Sequence, residues 1–232
     1  MIEPSAGPGR PVIAIDGPAG AGKSTVAAHL ARKFGLLNLE TGAMYRAFAL
    51  TALESGVQLD AEPALLTLSA GTQITLEPQP SGNRVLLNGV DVSQRIRQPD
   101  VTAAASLVSV YPAIRHWMVE QQRELGAHGN VVMEGRDIGT VVFPDAQVKI
   151  FLDALPETRG DRRFRQTESS GTPERRELVE QELRERDRRD TSRAESPLRP
   201  APDAVILDTT HLTLQEVLSS VEQLVKRALS SA

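Results

Sequence analysis

The sequence predicts an α/β fold built on a five-stranded, parallel, doubly wound sheet. Three observations carry that reading. Short apolar runs rich in β-branched residues recur at 11–16, 36–39, 130–133, 147–153 and 203–207, each the length of a buried strand. They alternate with stretches whose apolar residues repeat at helical spacing, the pattern of strands joined by right-handed crossovers. The first run empties into a glycine-rich loop and then straight into a helix.

That loop is Gly17-Pro18-Ala19-Gly20-Ala21-Gly22-Lys23-Ser24-Thr25, which matches G-x-x-x-x-G-K-[ST]. In the helix behind it Val26, Ala27, Leu30, Ala31 and Phe34 share a face, and Gly35 is placed as the stop. Glycines let backbone N–H groups turn inward around a phosphate without interference from Cβ atoms. The helix N-terminus adds its positive end. Lys23 is placed to reach β- and γ-phosphates and the Ser24 hydroxyl to ligate Mg²⁺. The loop thus names a nucleoside triphosphate, and no reaction.

The second run ends in Glu40-Thr41-Gly42-Ala43-Met44-Tyr45-Arg46, and Ala43, Ala47, Leu50 and Leu53 trace a helix closing at Ser55-Gly56. Thr41 and Arg46 then stand at a strand's carboxyl edge, where open α/β sheets bind ligands. A threonine N-cap followed by a solvated arginine is the plainer reading of the same residues. A short helix covers 62–71, after which the period changes from 3.6 to 2. Gln73 to Glu77 alternates, 78–83 has turn chemistry, 84–87 alternates less cleanly, and Asn88-Gly89 signals a hairpin into 90–92. This is a small antiparallel insertion, too small to fold alone.

Helices follow at 99–110 and 112–125, the second with Pro112 in its first turn and Gly126 past its end. Ser106 and Arg115 converge if the two helices meet near Tyr111, and Trp117 reads as packing. The strand at 130–133 runs into Glu134-Gly135-Arg136-Asp137-Ile138-Gly139-Thr140. Three charges and two glycines at the end of a buried strand are an expected site. Residues 157–193 then mix many arginines with nearly as many carboxylates, and most of these belong to solvated, salt-bridged helices. Ser169-Ser170-Gly171-Thr172-Pro173 breaks the run, with Thr172 as N-cap and Pro173 at the first position of the second helix. Such a hairpin has little apolar surface to hold it and is suited to close as a lid, its planar guanidinium groups gripping phosphate. The chain ends in a capping box, Thr213 to Glu216, and a helix whose Leu214, Val217, Leu218, Val221, Leu224 and Val225 face the core.

Composition narrows the function classes. A net charge of −4 over 232 residues argues against general affinity for nucleic acid or anionic membrane. With no cysteine there is neither a disulfide nor a thiolate metal site, and His29, His116, His128 and His211 have no ligand spacing. No run approaches 18 apolar residues, and the Pro/Gly/Ser-rich leader 1–10 is expected to fray. A soluble, cytoplasmic monomer without nucleic-acid or membrane partners is expected.

Four stretches together resemble the bacterial-type cytidylate kinases: 17–24, Thr-Gly-Ala-Met-Tyr-Arg at 41–46, Gly-Arg-Asp-Ile-Gly-Thr-Val-Val-Phe-Pro-Asp-Ala at 135–146, and Arg-Asp-Arg-Arg-Asp-Thr-Ser-Arg at 186–193. The resemblance runs from about residue 12 to the C-terminus. It implies a P-loop kinase core (11–61, 98–156 and 194–232), a nucleoside-monophosphate-binding insertion (62–97) and an arginine-rich lid (157–193). It implies transfer of the γ-phosphoryl group of ATP to CMP or dCMP, with Mg²⁺. Thr41, Arg46, Ser106, Arg115, Arg136, Asp137, Arg186, Asp190 and Arg193 would hold the monophosphate. Lys23, Arg136, Arg159, Arg163 and Arg186 would serve the transfer, Arg159 and Arg163 from the lid. Where the family often has Asp-Ser-Gly this chain has Glu40-Thr41-Gly42, and Glu134 stands where Asp is common. Two rivals remain: another small-molecule P-loop kinase acting on a sugar acid or shikimate, and a nucleotide switch. The antiparallel insertion and the paired Ser106/Arg115 and Arg136/Asp137 argue against the first, and the lack of any Asn-Lys against the second.

Overall fold

A computed structural model describes residues 10–79, 82–169 and 176–230. Its centre is strand β1 (Val12–Asp16), buried along its whole length. Parallel strands flank it on both sides, in the order β2 (Leu37–Glu40), β6 (Val131–Gly135), β1, β7 (Val148–Asp153), β8 (Val205–Asp208). The continuous Val/Ile character of β1 and β6 follows from helices covering both faces of the sheet.

On one face α1 (Lys23–Phe34) and α8 (Leu214–Ser230) bury Ile13, Ile15, Leu30, Val132, Val221 and Val225. On the other, α2 (Thr41–Glu54), α4 (Pro99–Val108) and α5 (Pro112–Gly126) enclose Met44, Phe48, Leu50, Ile114, Met118 and Met133. The indole of Trp117 lies tilted over Phe48, ring centroids 5.1 Å apart. Helix α3 (Glu62–Ser69) leads to the antiparallel sheet β3 (Ile74–Gln79), β4 (Gly82–Leu87), β5 (Val90–Asp91). Asn88 and Gly89 both take positive φ, as the tight hairpin signal requires. Ile74, Leu76, Val85 and Leu87 share the α2 core, so the insertion has no core of its own. Glu216 and Thr213 form the expected reciprocal cap at the start of α8.

Four expectations change. Thr41 is no N-cap: Glu40 takes that place, and the Thr41 hydroxyl donates instead to the Glu134 carbonyl at 2.7 Å. Strand β6 continues through Glu134 and Gly135, which pair with Ile15 and Asp16, two residues past the expected end at 133. Gly126 does not stop α5 but belongs to it. It is small because the Phe143 ring lies against it, where a Cβ would come within 2.4 Å. Leu214 opens α8 from outside the core, 58 % exposed.

The arginine-rich pair α6 (Pro156–Ser169) and α7 (Arg176–Ser192) also differs from expectation. Val179 and Leu183 of α7 bury themselves against Ala19 of the glycine loop, so an apolar contact does hold the pair to the core. The expected cap at Thr172-Pro173, and the leader 1–9, lie outside the described residues. Among the described residues no helix is long and apolar enough to cross a membrane.

Candidate active site

Because β1 lies between β6 and β7, the loops leaving β1 and β6 come together at the carboxyl edge of the sheet. Gly17 makes the first turn possible. It has φ +145°, and a Cβ there would stand 2.0 Å from the Leu152 carbonyl oxygen of β7. Gly20 and Gly22 follow in left-handed conformations, and α1 starts with no side-chain cap and no acidic residue in its first turn. Its first N–H groups are therefore left for an anion. The buried Lys23 ammonium donates to the Pro18 carbonyl at 2.7 Å, lying across the loop.

Around Lys23 the fold gathers Arg136, Arg186, Glu40, Glu134 and Asp190, with Arg46 paired to Glu40. Burial, then the nearby Arg136, lowers the Lys23 pKa well below its ordinary value. Arg186 is brought down to about 10, again by burial and then by Arg136, with Arg163 also contributing. Arg136 donates to Asp190 at 2.7 Å, and Arg46 is paired with Glu40. Burial raises the Glu40 carboxyl, but Arg46, Arg97 and Lys23 outweigh it and hold the group below its usual value. Glu134 goes the other way, to about 7, through burial and the Glu40 charge. Among the described residues, Nε of Arg46, Nε of Arg186 and Oε1 of Glu134 are buried here without a partner. Unanswered N–H donors among buried guanidinium groups match the chemistry of phosphate oxygens.

Next to it is a second cluster. Arg115, 2 % exposed, donates to Asp137 and to the Ser109 carbonyl, and its guanidinium lies over the Tyr45 ring at 5.7 Å. The Ser106 hydroxyl accepts from Arg189 at 3.2 Å, and Ser109 joins Ser106 to Arg115. Arg193 donates to the Ser196 carbonyl at 2.7 Å and lies 3.5 Å from Asp190. Among the described residues the Tyr45 hydroxyl, Arg115 Nε and Arg193 Nη2 are buried without partners. Burial, and next the Arg115 charge acting against it, leave the Tyr45 hydroxyl at about 12, so it stays a neutral donor.

Arg159 is placed differently from the other candidates. It is 4 % exposed and donates to the carbonyls of Ala154 (2.9 Å) and Ala19 (3.0 Å) and to Asp187 (2.6 Å). It clamps the backbone of the glycine loop to α7. Ser24 and Thr25 are exposed at the head of α1, with the Ser24 hydroxyl beside Glu134. Glu40, Tyr45, Asp187 and Arg189 belong to these clusters but were not among the sequence candidates. All lie inside or beside the quoted motifs, which is the signal that marks them.

The cytidylate kinase family profile matches residues 13–227. A cytidylate kinase of Pelotomaculum thermopropionicum is 50 % identical over 212 residues, covering 91 % of this chain and 94 % of that one. A bifunctional pantoate ligase/cytidylate kinase of Synechococcus is 47 % identical over 223 residues, 95 % of this chain. The match spans only 41 % of that relative, so the chain has about two fifths of its length. Among solved structures, an Acinetobacter baumannii shikimate kinase bound to shikimate aligns with 97 % of the chain and 98 % of its own length, at 17 % identity and a TM-score of 0.48. With a family profile that runs through both clusters, and relatives near half identity along the same stretch, the chain belongs to the cytidylate kinase family.

Proposed function

We propose that this chain transfers the γ-phosphoryl group of ATP to CMP or dCMP. The observation that supports it most is the buried Arg115–Asp137 pair at the same sheet edge as the phosphate loop, with unanswered polar atoms around it. The bond from the γ-phosphorus to the bridging oxygen of ADP breaks, and an oxygen of the CMP phosphate forms the new bond, giving ADP and CDP. Such a transfer needs positioning and charge neutralisation more than covalent help. Gly17 to Thr25 hold the triphosphate, and Lys23 leaves Pro18 to follow the migrating charge. Arg46, Arg136 and Arg186 hold the acceptor phosphate between them, and Asp190 and Arg193 orient the sugar. Ser24 Oγ, with Oε1 of Glu134 behind it, makes a hard-oxygen set of the kind Mg²⁺ takes; the ion would neutralise phosphate charge there.

The test is a panel of acceptors with Mg-ATP. CMP and dCMP are expected to release ADP far faster than UMP, AMP, gluconate or shikimate, and a sugar acid as the best acceptor would overturn the assignment.

Residues 157–193 act as the lid in this reading, with Arg159 tying lid to loop and Arg163 adding its charge near Arg186. Arg159→Ala removes the clamp on Ala19 without touching the acceptor cluster. Its kcat is expected to fall about tenfold while KM for CMP moves less than about threefold. Steady-state kinetics decide this, and a loss confined to KM would refute it.

A further inference from the structure

Asp16 closes β1, one residue before the glycine loop, and is 4 % exposed. Its two carboxylate oxygens accept the N–H groups of Ile138 and Gly139, each at 2.8 Å. Those amides open a short π-helical turn, Ile138–Val142, that begins immediately after Asp137. A charge of opposite sign holds the far end: Arg123 of α5 donates to the carbonyls of Val141 (2.7 Å) and Val142 (3.1 Å). An anion at the N–H end and a cation at the carbonyl end complement the dipole of the turn. Gly139 fits between them because it lacks a side chain. A Cβ there would lie 3.2 Å from Cδ of Lys149 and 3.4 Å from Asp16.

The geometry points to Asp16 as a positioning residue for base recognition. Through the amides of 138 and 139 it sets where Asp137 stands, and Arg123 fixes the other end of the same turn. The inference rests on the cytidylate kinase reading and deepens it: selectivity for the base depends on a carboxylate in the strand that carries the triphosphate loop. Asparagine at 16 keeps one acceptor but sets an NH₂ donor against the second amide, and alanine leaves both amides buried and unanswered.

The experiment uses the full chain with Asp16→Asn, Asp16→Ala and Arg123→Ala, measuring kcat and KM for CMP and UMP, KM for ATP, and urea unfolding. In Asp16→Ala the CMP:UMP ratio of kcat/KM is expected to fall about tenfold, mostly through KM for CMP, with KM for ATP within about twofold. Asp16→Asn should fall between Asp16→Ala and wild type. Arg123→Ala, altered at an exposed side chain, should lower the ratio about threefold. A folded Asp16→Ala with an unchanged ratio, or with both KM values raised alike, overturns the inference. Should Asp16→Ala fail to fold, Arg123→Ala decides, and an unchanged ratio there is equally fatal. Wild-type protein that fails to phosphorylate CMP would instead defeat the functional reading, and the inference with it.

Discussion

Lys23→Ala is expected to fold and to lose phosphoryl transfer. In the structure the ammonium is buried, and the bond it makes is to the Pro18 carbonyl of its own loop, so no element depends on it for position. Its lowered pKa reflects burial and the crowding of Arg136 and Arg186, while Glu134 and Asp190 act in the opposite sense. A cation kept in a dry, arginine-lined hollow is worth most when charge moves from the γ-phosphate to the leaving oxygen. Its removal should lower kcat by about 10³-fold, roughly 4 kcal/mol of barrier. A coupled ADP assay reads the loss and circular dichroism with urea unfolding reads the fold. Turnover near wild type in a folded variant would refute the role.

Asp137→Ala should have two large effects at once. Cytosine offers an amino donor at position 4 beside the N3 acceptor, and uracil reverses both. A carboxylate accepts from the cytosine amino group, while arginine supplies donors only. Against uracil, Asp137 would meet a carbonyl oxygen and Arg115 an N–H, and mismatched buried polar groups cost more than absent ones. The CMP:UMP ratio of kcat/KM should therefore fall at least about tenfold, roughly 1.4 kcal/mol of discrimination. The second effect is on stability. Arg115 is 2 % exposed, and alanine at 137 leaves its guanidinium without its carboxylate. Breaking a buried pair from one side costs about 3–5 kcal/mol, which urea unfolding would report. An equal loss on both nucleotides, together with that destabilisation, would make Asp137 a structural partner of Arg115 and nothing more.

The parts of this molecule that the chain states locally were legible in it. Strand, glycine loop and helix at 12–34 are contiguous, and each signals its own geometry through β-branching, glycine and a repeat of 3.6. The Asn88-Gly89 hairpin and the Thr213/Glu216 cap were readable for the same reason. What escaped was set by distant backbone. A lone Asp16 at a strand end has no pattern to show that its partners are amides 122 and 123 residues away. Arg159 was singled out through the resemblance as a lid arginine, but composition does not reveal that it turns inward to the Ala19 carbonyl. The strand read as ending at 133 because the strand character of Glu134 comes from pairing with Ile15, not from its own propensity. Gly126 carried a helix-stop signal, and the Phe143 ring beside it explains the glycine instead.

The tilted stack of Trp117 on Phe48 gives the protein an optical probe of its own. It is the chain's one tryptophan, set on α5 two residues beyond Arg115 and packed against α2, the helix that carries Tyr45 and Arg46. Emission excited in the indole band therefore comes from a single, known place between α2 and α5. Titration with denaturant, or with CMP, can be followed there without a label, and the signal belongs to the contact between α2 and α5 and not to an average over the molecule.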